Sequence, residues 1–236
     1  MPEEFTVVIP TLQRAPGLRS LVLRCAEHPS VREVLVVNNA PEPLPVTHPR
    51  LRVLQQGTNI FVNPAWNLGA REARGSLLAI VNDDVEFEDE ALTHAAGILR
   101  RGFFGIVGPD LSTFSDDGSG RISHRLARHD APRRRFGTFM CLRRTDYVPV
   151  PDELRIWGGD DWLIAQQRRP PAALIRTRFR TDMSTTTRAE EFQRLFEQER
   201  ERTDRLLAAV RGTRWWHRLQ HHHEVLRNGV YRWTGR

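Results

Sequence analysis

Lysine is missing from this chain of 236 residues; all 35 of its basic residues are arginine. That absence excludes chemistry built on a lysine amine: a Schiff base, a pyridoxal phosphate site or a Walker A loop. Cysteine is scarce as well. Cys25 and Cys141 lie far apart without ligand spacing, so neither a disulfide framework nor a zinc cluster is expected. They read as buried or free thiols of a reducing cytosol. No apolar run approaches the roughly 18 residues needed to span a bilayer. The first residues, MPEEFTVVIP, are acidic and enter a strand directly, which reads as no signal peptide and a cytoplasmic location. No internal repeat is visible. The length suits one α/β domain, alone or with an appendage. Hydrophobic content of 39% with 27% charged residues is that of a soluble globular protein.

Positive charge is present but unevenly spread. Arg121 to Arg135 holds six arginines against Asp130, and Arg211 to Arg236 holds six against Glu224. Each segment is +5, whereas the whole chain is +6, so the remainder is mildly acidic. The basic character belongs to two segments and not to the body.

Apolar periodicity outlines the fold. Strands are expected at Phe5–Ile9, Val31–Val37, Leu51–Leu54, Leu77–Val81, Thr138–Leu142 and Ala173–Ile175. Helices are expected at Gly17–His28, Asn63–Arg74, Glu88–Arg101, Asp160–Arg169 and Ala189–Val210. Pro64 falls in a first helical turn and Gly75 closes that helix, as helix-end chemistry favours. In the last helix Phe192, Leu195, Phe196, Leu206, Leu207 and Val210 share a face. Alternation of strands and helices with short connections predicts an α/β domain with a mostly parallel, doubly wound central sheet flanked by helices. After Gly105–Val107 the pattern loosens. The expected division is residues 1–185 as the α/β domain and 186–236 as a helical, basic, aromatic extension.

The stretch LLAIVNDDVEF, residues 77–87, places a buried strand against Asn82, Asp83 and Asp84. Ligands of open α/β sheets sit outside the carboxyl ends of the strands, and adjacent acids there can hold a hard cation that holds phosphate oxygens. A polar turn capping the next helix would look the same in isolation. Two other buried strands also end in polar residues, at Pro10-Thr11 and Asn38-Asn39, so three strand ends converge on one edge. A second pair, Asp160-Asp161, follows two glycines in RIWGGDDWLIAQQRR. Glycine lets the backbone approach something closely; the plain alternative is a helix N-cap.

Six segments in this order, VVIPTLQR, EVLVVNNAPEP, NIFVNPAWNLG, LLAIVNDDVEF, GTFMCLRR and GGDDWL, resemble glycosyltransferase family 2 of the GT-A fold over about residues 5–170. The likeness is greatest to a rhamnosyltransferase-like branch whose metal motif reads Asn-Pro-Asp-Val, against Asn82-Asp83-Asp84-Val85 here. Phe61 stands where a glycine is usual. The resemblance implies a GT-A domain that moves one sugar, a hexose or deoxyhexose, with inversion from a nucleoside diphosphate sugar to an acceptor hydroxyl. It implies Asp84 as the ligand of Mn2+ or Mg2+, assisted by Asp83 or Asn82. Asp161 would be the general base, with Asp160 orienting it or touching the acceptor. Pro10, Thr11, Arg14, Asn38, Asn39, Asn59, Asn67, Asn82 and Asp83 would contact the donor. Asn38 replaces an aspartate that often reads uracil, and an amide both donates and accepts, so UDP-, dTDP- and GDP-sugars all remain open. The QxxRW element of processive relatives is missing, which favours single transfer. The acceptor is open among a glycan, a lipid-linked intermediate, a small molecule, a protein and a modified nucleic acid.

The basic segments allow further readings. Arg121–Arg135 reads as a solvated loop, or else as a lid or a contact for an acidic acceptor. His124, His129 and the run His221–His223 are candidate metal or phosphate contacts. The tail Arg214–Arg236, with Trp215, Trp216, Tyr231 and Trp233, would pack on the domain or form a homodimer. Lesser readings are peripheral contact with an anionic membrane or with a polyanion such as DNA. Two other functions follow: a non-catalytic GT-A-like protein that binds nucleic acid or membrane through these segments, and a sugar-nucleotide nucleotidyltransferase. Against the latter, no GxGTR-type glycine-rich loop follows the first strand.

Overall fold

The computed structural model describes residues 4–115, 118, 120–127, 135–181 and 190–218, with the side chains of 190–196 and 198 outside the description. Three strands are buried along nearly their whole length: β1 (Phe5–Thr11), β2 (Val31–Asn38) and β4 (Leu77–Val81). Their runs of β-branched and aliphatic residues are continuous because both faces are covered, as in parallel sheets generally. Successive side chains alternate between two cores. Val7, Ile9, Val34, Val36, Ala79 and Val81 face one core with α1 (Leu18–Glu27) and α3 (Glu90–Arg100). Val8, Leu35, Val37, Leu78 and Ile80 face the other with α2 (Val62–Glu72) and α4 (Gly159–Gln166).

β3 (Leu51–Gln55) lies at one sheet edge beside β2. Beyond β4 come β8 (Phe139–Arg143), β6 (Ile106–Pro109), β9 (Pro171–Ile175) and β7 (Ser123–Leu126), giving the order β3-β2-β1-β4-β8-β6-β9-β7. The β1–β2, β1–β4, β2–β3 and β6–β9 pairings are parallel, and β8 and β7 run antiparallel to their neighbours. A second, two-stranded ribbon pairs β5 (Val85–Phe87) with β10 (Phe179–Thr181). Helix α5 covers Glu190–Ala208.

The expected elements are present with small changes of boundary. After Gly105–Val107 the described residues change strand direction: β6 continues to Pro109, and β7 and β8 run antiparallel to their neighbours. The first residues of the arginine-rich segment form an edge strand, β7, and not a solvated loop. Arg125 donates from Nη2 to Asp110 Oδ2 at 2.6 Å and from Nε at 3.1 Å, a two-pronged pairing that ties the edge down. Residues 128–134 of that segment lie outside the described residues, as does His129.

Candidate active site

The three strand ends meet. Parallel register places Thr11 of β1 beside Asn38 of β2, and the Asn39 amide donates to the Thr11 carbonyl at 2.8 Å. Thr11 Oγ1 donates to Asp83 Oδ2 at 2.6 Å, across 72 positions of sequence. Burial raises the Asp83 carboxyl pKa, opposed by the Thr11 hydrogen bond and reinforced by the charge of Asp84. Asp84 is held from the other side: Thr181 Oγ1 donates to its Oδ2 at 2.8 Å. The β5–β10 ribbon explains that bond, because it sets Thr181 opposite Val85, the residue after Asp84.

The second acidic pair is joined to the first by the tight turn Phe136–Thr138. Its Thr138 carbonyl accepts from the Asn82 amide at 2.9 Å. Its Gly137 lies against Asp160, where a Cβ would stand about 2.9 Å from Asp160 Oδ2. Burial and then the charge of Asp161 push the Asp160 carboxyl up to about 7, against hydrogen bonds from the amides of Asp161, Asp160 and Gly137. Two interacting carboxylates titrate as a pair, and this pair holds a proton more tightly than isolated acids do.

The two glycines before the acids have separate reasons. Gly158 has φ +73°, a backbone that L side chains rarely adopt, and a Cβ there would collide with the Thr203 side chain. Gly159 lies on Asn63 and Trp66 of α2, where a Cβ would overlap Asn63 Oδ1. Asn63 is fully buried, and its Nδ2 donates to the carbonyls of Leu154 and Trp157 at 3.2 and 3.3 Å. The segments NIFVNPAWNLG and GGDDWL are therefore packed face to face.

The remaining expected donor contacts divide. Pro10 is buried inside β1 and Arg14 is exposed. Asn39 is buried and its Oδ1 accepts from the Ile60 amide at 3.3 Å. Asn59 is exposed, and its Oδ1 accepts from the Phe61 amide at 2.8 Å. Asn38 uses its whole amide internally: Nδ2 donates to Glu42 O and Gln55 Oε1, and Oδ1 accepts from Gln13 Nε2 and the Ala40 amide. Asn67 is likewise occupied, with Tyr147 and with both backbone groups of Val150. Its three bonds fasten α2 to the segment after β8. Phe61, at the usual glycine position, has φ +68° and ψ 178°, a region nearly reserved for glycine. The Arg155 guanidinium stands over its ring at 5.3 Å.

The donor set at the strand ends fits a hard divalent cation. Its ligating atoms are carboxylate oxygens, the preference of Mg2+ and Mn2+, and two adjacent, partly buried like charges are what a cation relieves. Among the described residues no group of three or more His, Cys, Asp or Glu gathers, so water and a ligand's oxygens would complete the coordination. His124 does not join the acids; its Nδ1 lies 3.1 Å from Nε2 of His94. His221–His223 lie outside the described residues.

Residues that sequence reasoning passed over include Asn63, Gly137, Thr181, Thr203 and Glu199. Asn63 and Gly137 stand inside quoted segments and were legible as neighbours of the motifs. Thr181, Thr203 and Glu199 act from distant elements and carry no local signal.

A mixed α/β sheet with one acidic pair after β4 and a second in the first turn of α4 defines a GT-A-type domain. Residues 6–152 match the model of glycosyl transferase family 2; the chain belongs to that family. No curated protein matches the chain in sequence. Among solved structures, S. aureus TarS 1-349 is 16% identical with a TM-score of 0.57, over 90% of this chain and 66% of that one. The complex of that protein with UDP-GlcNAc has a TM-score of 0.57 at 15% identity, over 90% and 67%. At 18% identity a mannosyltransferase from Pyrobaculum calidifontis, in complex with GDP-Man and Mn2+, reaches only 0.48 over 71% and 53%. The chain thus spans about two thirds of the TarS fragment and 39% of the longer TarS chain. At these identities the likeness is one of fold.

Proposed function

We propose that the protein is an inverting glycosyltransferase that moves one sugar from a nucleoside diphosphate sugar to an acceptor hydroxyl. The observation that carries this reading is the turn Phe136–Thr138, which hydrogen-bonds Asn82, the residue before the first acidic pair, through Thr138 and packs on Asp160 of the second through Gly137. A donor's diphosphate belongs at the strand ends, beside Asp83 and Asp84. Those two residues would hold Mn2+ or Mg2+, which when bound supplies positive charge where the leaving diphosphate gains negative charge. Thr11 and Thr181 fix the carboxylates, so that orientation is set before a ligand arrives.

Asp161 accepts the proton of the acceptor hydroxyl as that oxygen attacks the anomeric carbon from the face opposite the diphosphate. One base is enough for direct inversion. Burial and the charge of Asp161 favour the protonated form of Asp160; with the pair's shared proton on Asp160, Asp161 is left as the base. The saturated amide of Asn38 leaves base recognition to the groups around it, among them Gln13. UDP, dTDP and GDP are all to be tried, and the acceptor is open in chemical class.

Thermal denaturation with each nucleotide, with and without Mn2+, tests the donor site. A ligand at 100 times its Kd raises stability by about 2.7 kcal/mol, roughly 5–10 °C for a domain of this size. We expect one nucleotide to do so only when Mn2+ is present. No shift with any of the three would remove the donor site from this strand edge.

A further inference from the structure

Glu199 is a carboxylate that no step above uses. It sits on α5, in the part of the chain after the family match, and it is completely buried. Its Oε1 accepts from the Arg155 amide at 2.9 Å, and its Oε2 accepts from the amides of Ile156 and Trp157 at 2.9 and 2.8 Å. Three successive backbone donors closing on one carboxylate form an anion-binding concavity, and here the anion is the protein's own. The loop so gripped runs straight into Gly158, Gly159, Asp160 and Asp161.

Two more contacts lead the same way. The Thr203 side chain, one turn further along α5, occupies the space a Cβ on Gly158 would need, and its hydroxyl donates to the Glu199 carbonyl at 2.7 Å. On the opposite side the Arg155 carbonyl accepts from the Asn63 amide at 2.9 Å. The loop is thus clamped between α5 and the N-terminus of α2, and α4 begins where the clamp ends. Buried carboxylates are costly unless fully hydrogen-bonded. A leucine or methionine would fill the same space without that cost, so a carboxylate here answers to the three amides.

We propose that Glu199 is a positioning residue that sets residues 155–157, and through them the Asp160–Asp161 pair, so that α5 completes the active site. The consequence for catalysis rests on the functional reading above; the grip on the loop does not. Glu199→Gln keeps the shape but turns an NH2 group toward amide donors, and Glu199→Ala removes the grip. Amide hydrogen exchange reads the grip directly. Exchange at residues 155–157 should speed roughly tenfold or more in Glu199→Ala, with a smaller rise in Glu199→Gln, while β1 and β4 stay protected.

Turnover reads the consequence: release of nucleoside diphosphate from UDP-, dTDP- and GDP-sugars with Mn2+, in the folded Glu199→Gln protein. A misplacement near 1 Å costs about 100-fold in rate. We expect kcat to fall on that order, with nucleotide affinity within about threefold of wild type because the strand-end acids are untouched. Unchanged exchange at 155–157 in both variants overturns the proposal, and so does faster exchange with normal kcat. Nucleotide affinity lost in step with kcat would also overturn it, since that marks general unfolding. If the wild type binds no nucleotide and releases none, the transfer reading fails, and the exchange data alone still decide whether Glu199 holds the loop.

Discussion

Asp160 is packed against Gly137 and the first turn of its own helix, and burial, then the charge of Asp161, push its carboxyl up to about 7. In the unfolded chain an aspartate titrates at about 3.9. Between roughly pH 4 and 7 the folded state therefore keeps a proton that the unfolded state has released. Stability from this group is greatest below about pH 4 and declines as pH rises toward 7. Asp160→Asn removes the decline, so the variant should gain in Tm relative to wild type as pH goes from 4 to 8. Parallel Tm curves over that range would show that Asp160 ionises normally. Its neighbour has a different expected phenotype. Asp161→Asn should lower kcat by at least about 100-fold, the lower range for a lost general base, with nucleotide binding kept. Asp84→Ala should instead abolish the Mn2+-dependent Tm shift. Calorimetric titration of both variants with the stabilising nucleotide separates the two roles. The position of Asp83 and Asp84 on the sheet edge was legible in sequence, because three buried apolar runs each stop at polar residues there. What surrounds them was less so. Asn38 and Asn67 have the right residue type and the right place in the chain, yet amides satisfy backbone groups as readily as ligands. No spacing rule tells the two uses apart.

At the scale of elements, Glu33 shows how the sheet carrying the strand ends is held. It is buried on β2, and its Oε1 accepts from Thr6 Oγ1 at 2.9 Å and from the Arg74 amide at 2.7 Å. Oε2 accepts from Arg52 of β3 at 2.8 Å. Burial opposes ionisation, but the hydrogen bonds from Arg52, Arg74 and Thr6 outweigh it and hold the pKa below the usual carboxylate range. One side chain thus links β1, β2, β3 and the turn entering β4. Removing one partner of such a network leaves the others buried and unpaired, so Glu33→Ala should cost about 3 kcal/mol in urea denaturation. A loss below about 1 kcal/mol would mean that water replaces the carboxylate freely. The Glu33 contribution is present above the unfolded pKa and disappears as pH falls through the lower folded value, opposite in sense to Asp160. Long apolar runs made β1, β2 and β4 legible to within a residue or two. β5, β7 and β10 were not, because three- and four-residue strands carry little periodicity of their own. β7 in particular reads Ser-His-Arg-Leu, and its strand character comes from β9 alongside and from the Asp110–Arg125 pair.

Across the whole molecule, residues 199–216 pack back onto the α/β domain. No helix among the described residues is long and apolar enough to cross a membrane. Tryptophan next to arginine at 214–218 suggested packing, a second subunit or a charged surface, and the two tryptophans divide between inside and outside. Trp215 is 53% exposed, whereas Trp216 is only 3% exposed, belongs to the core beneath α2 and α4, and donates from Nε1 to the Gln167 carbonyl at 2.9 Å. Leu207 of α5 is buried and Leu206 packs on the same core; Phe192, Leu195 and Phe196 have side chains outside the described residues. One-dimensional patterning could not separate Trp215 from Trp216, since adjacent residues differ only in which way the chain turns beneath them. A chain ending at Val210 loses Trp216 and opens the core, a change of about 3–5 kcal/mol. At 2–4 °C per kcal/mol for a domain of this size, its Tm should fall by roughly 6–20 °C. A chain ending at Arg218 keeps Trp216 and its hydrogen bond, and should melt above the Val210 chain by that same roughly 6–20 °C. Thermal denaturation of the two truncations side by side decides the matter. Equal melting at Val210 and Arg218 would place Trp216 outside the cooperative core, and equal loss in both would give that role to residues beyond 218.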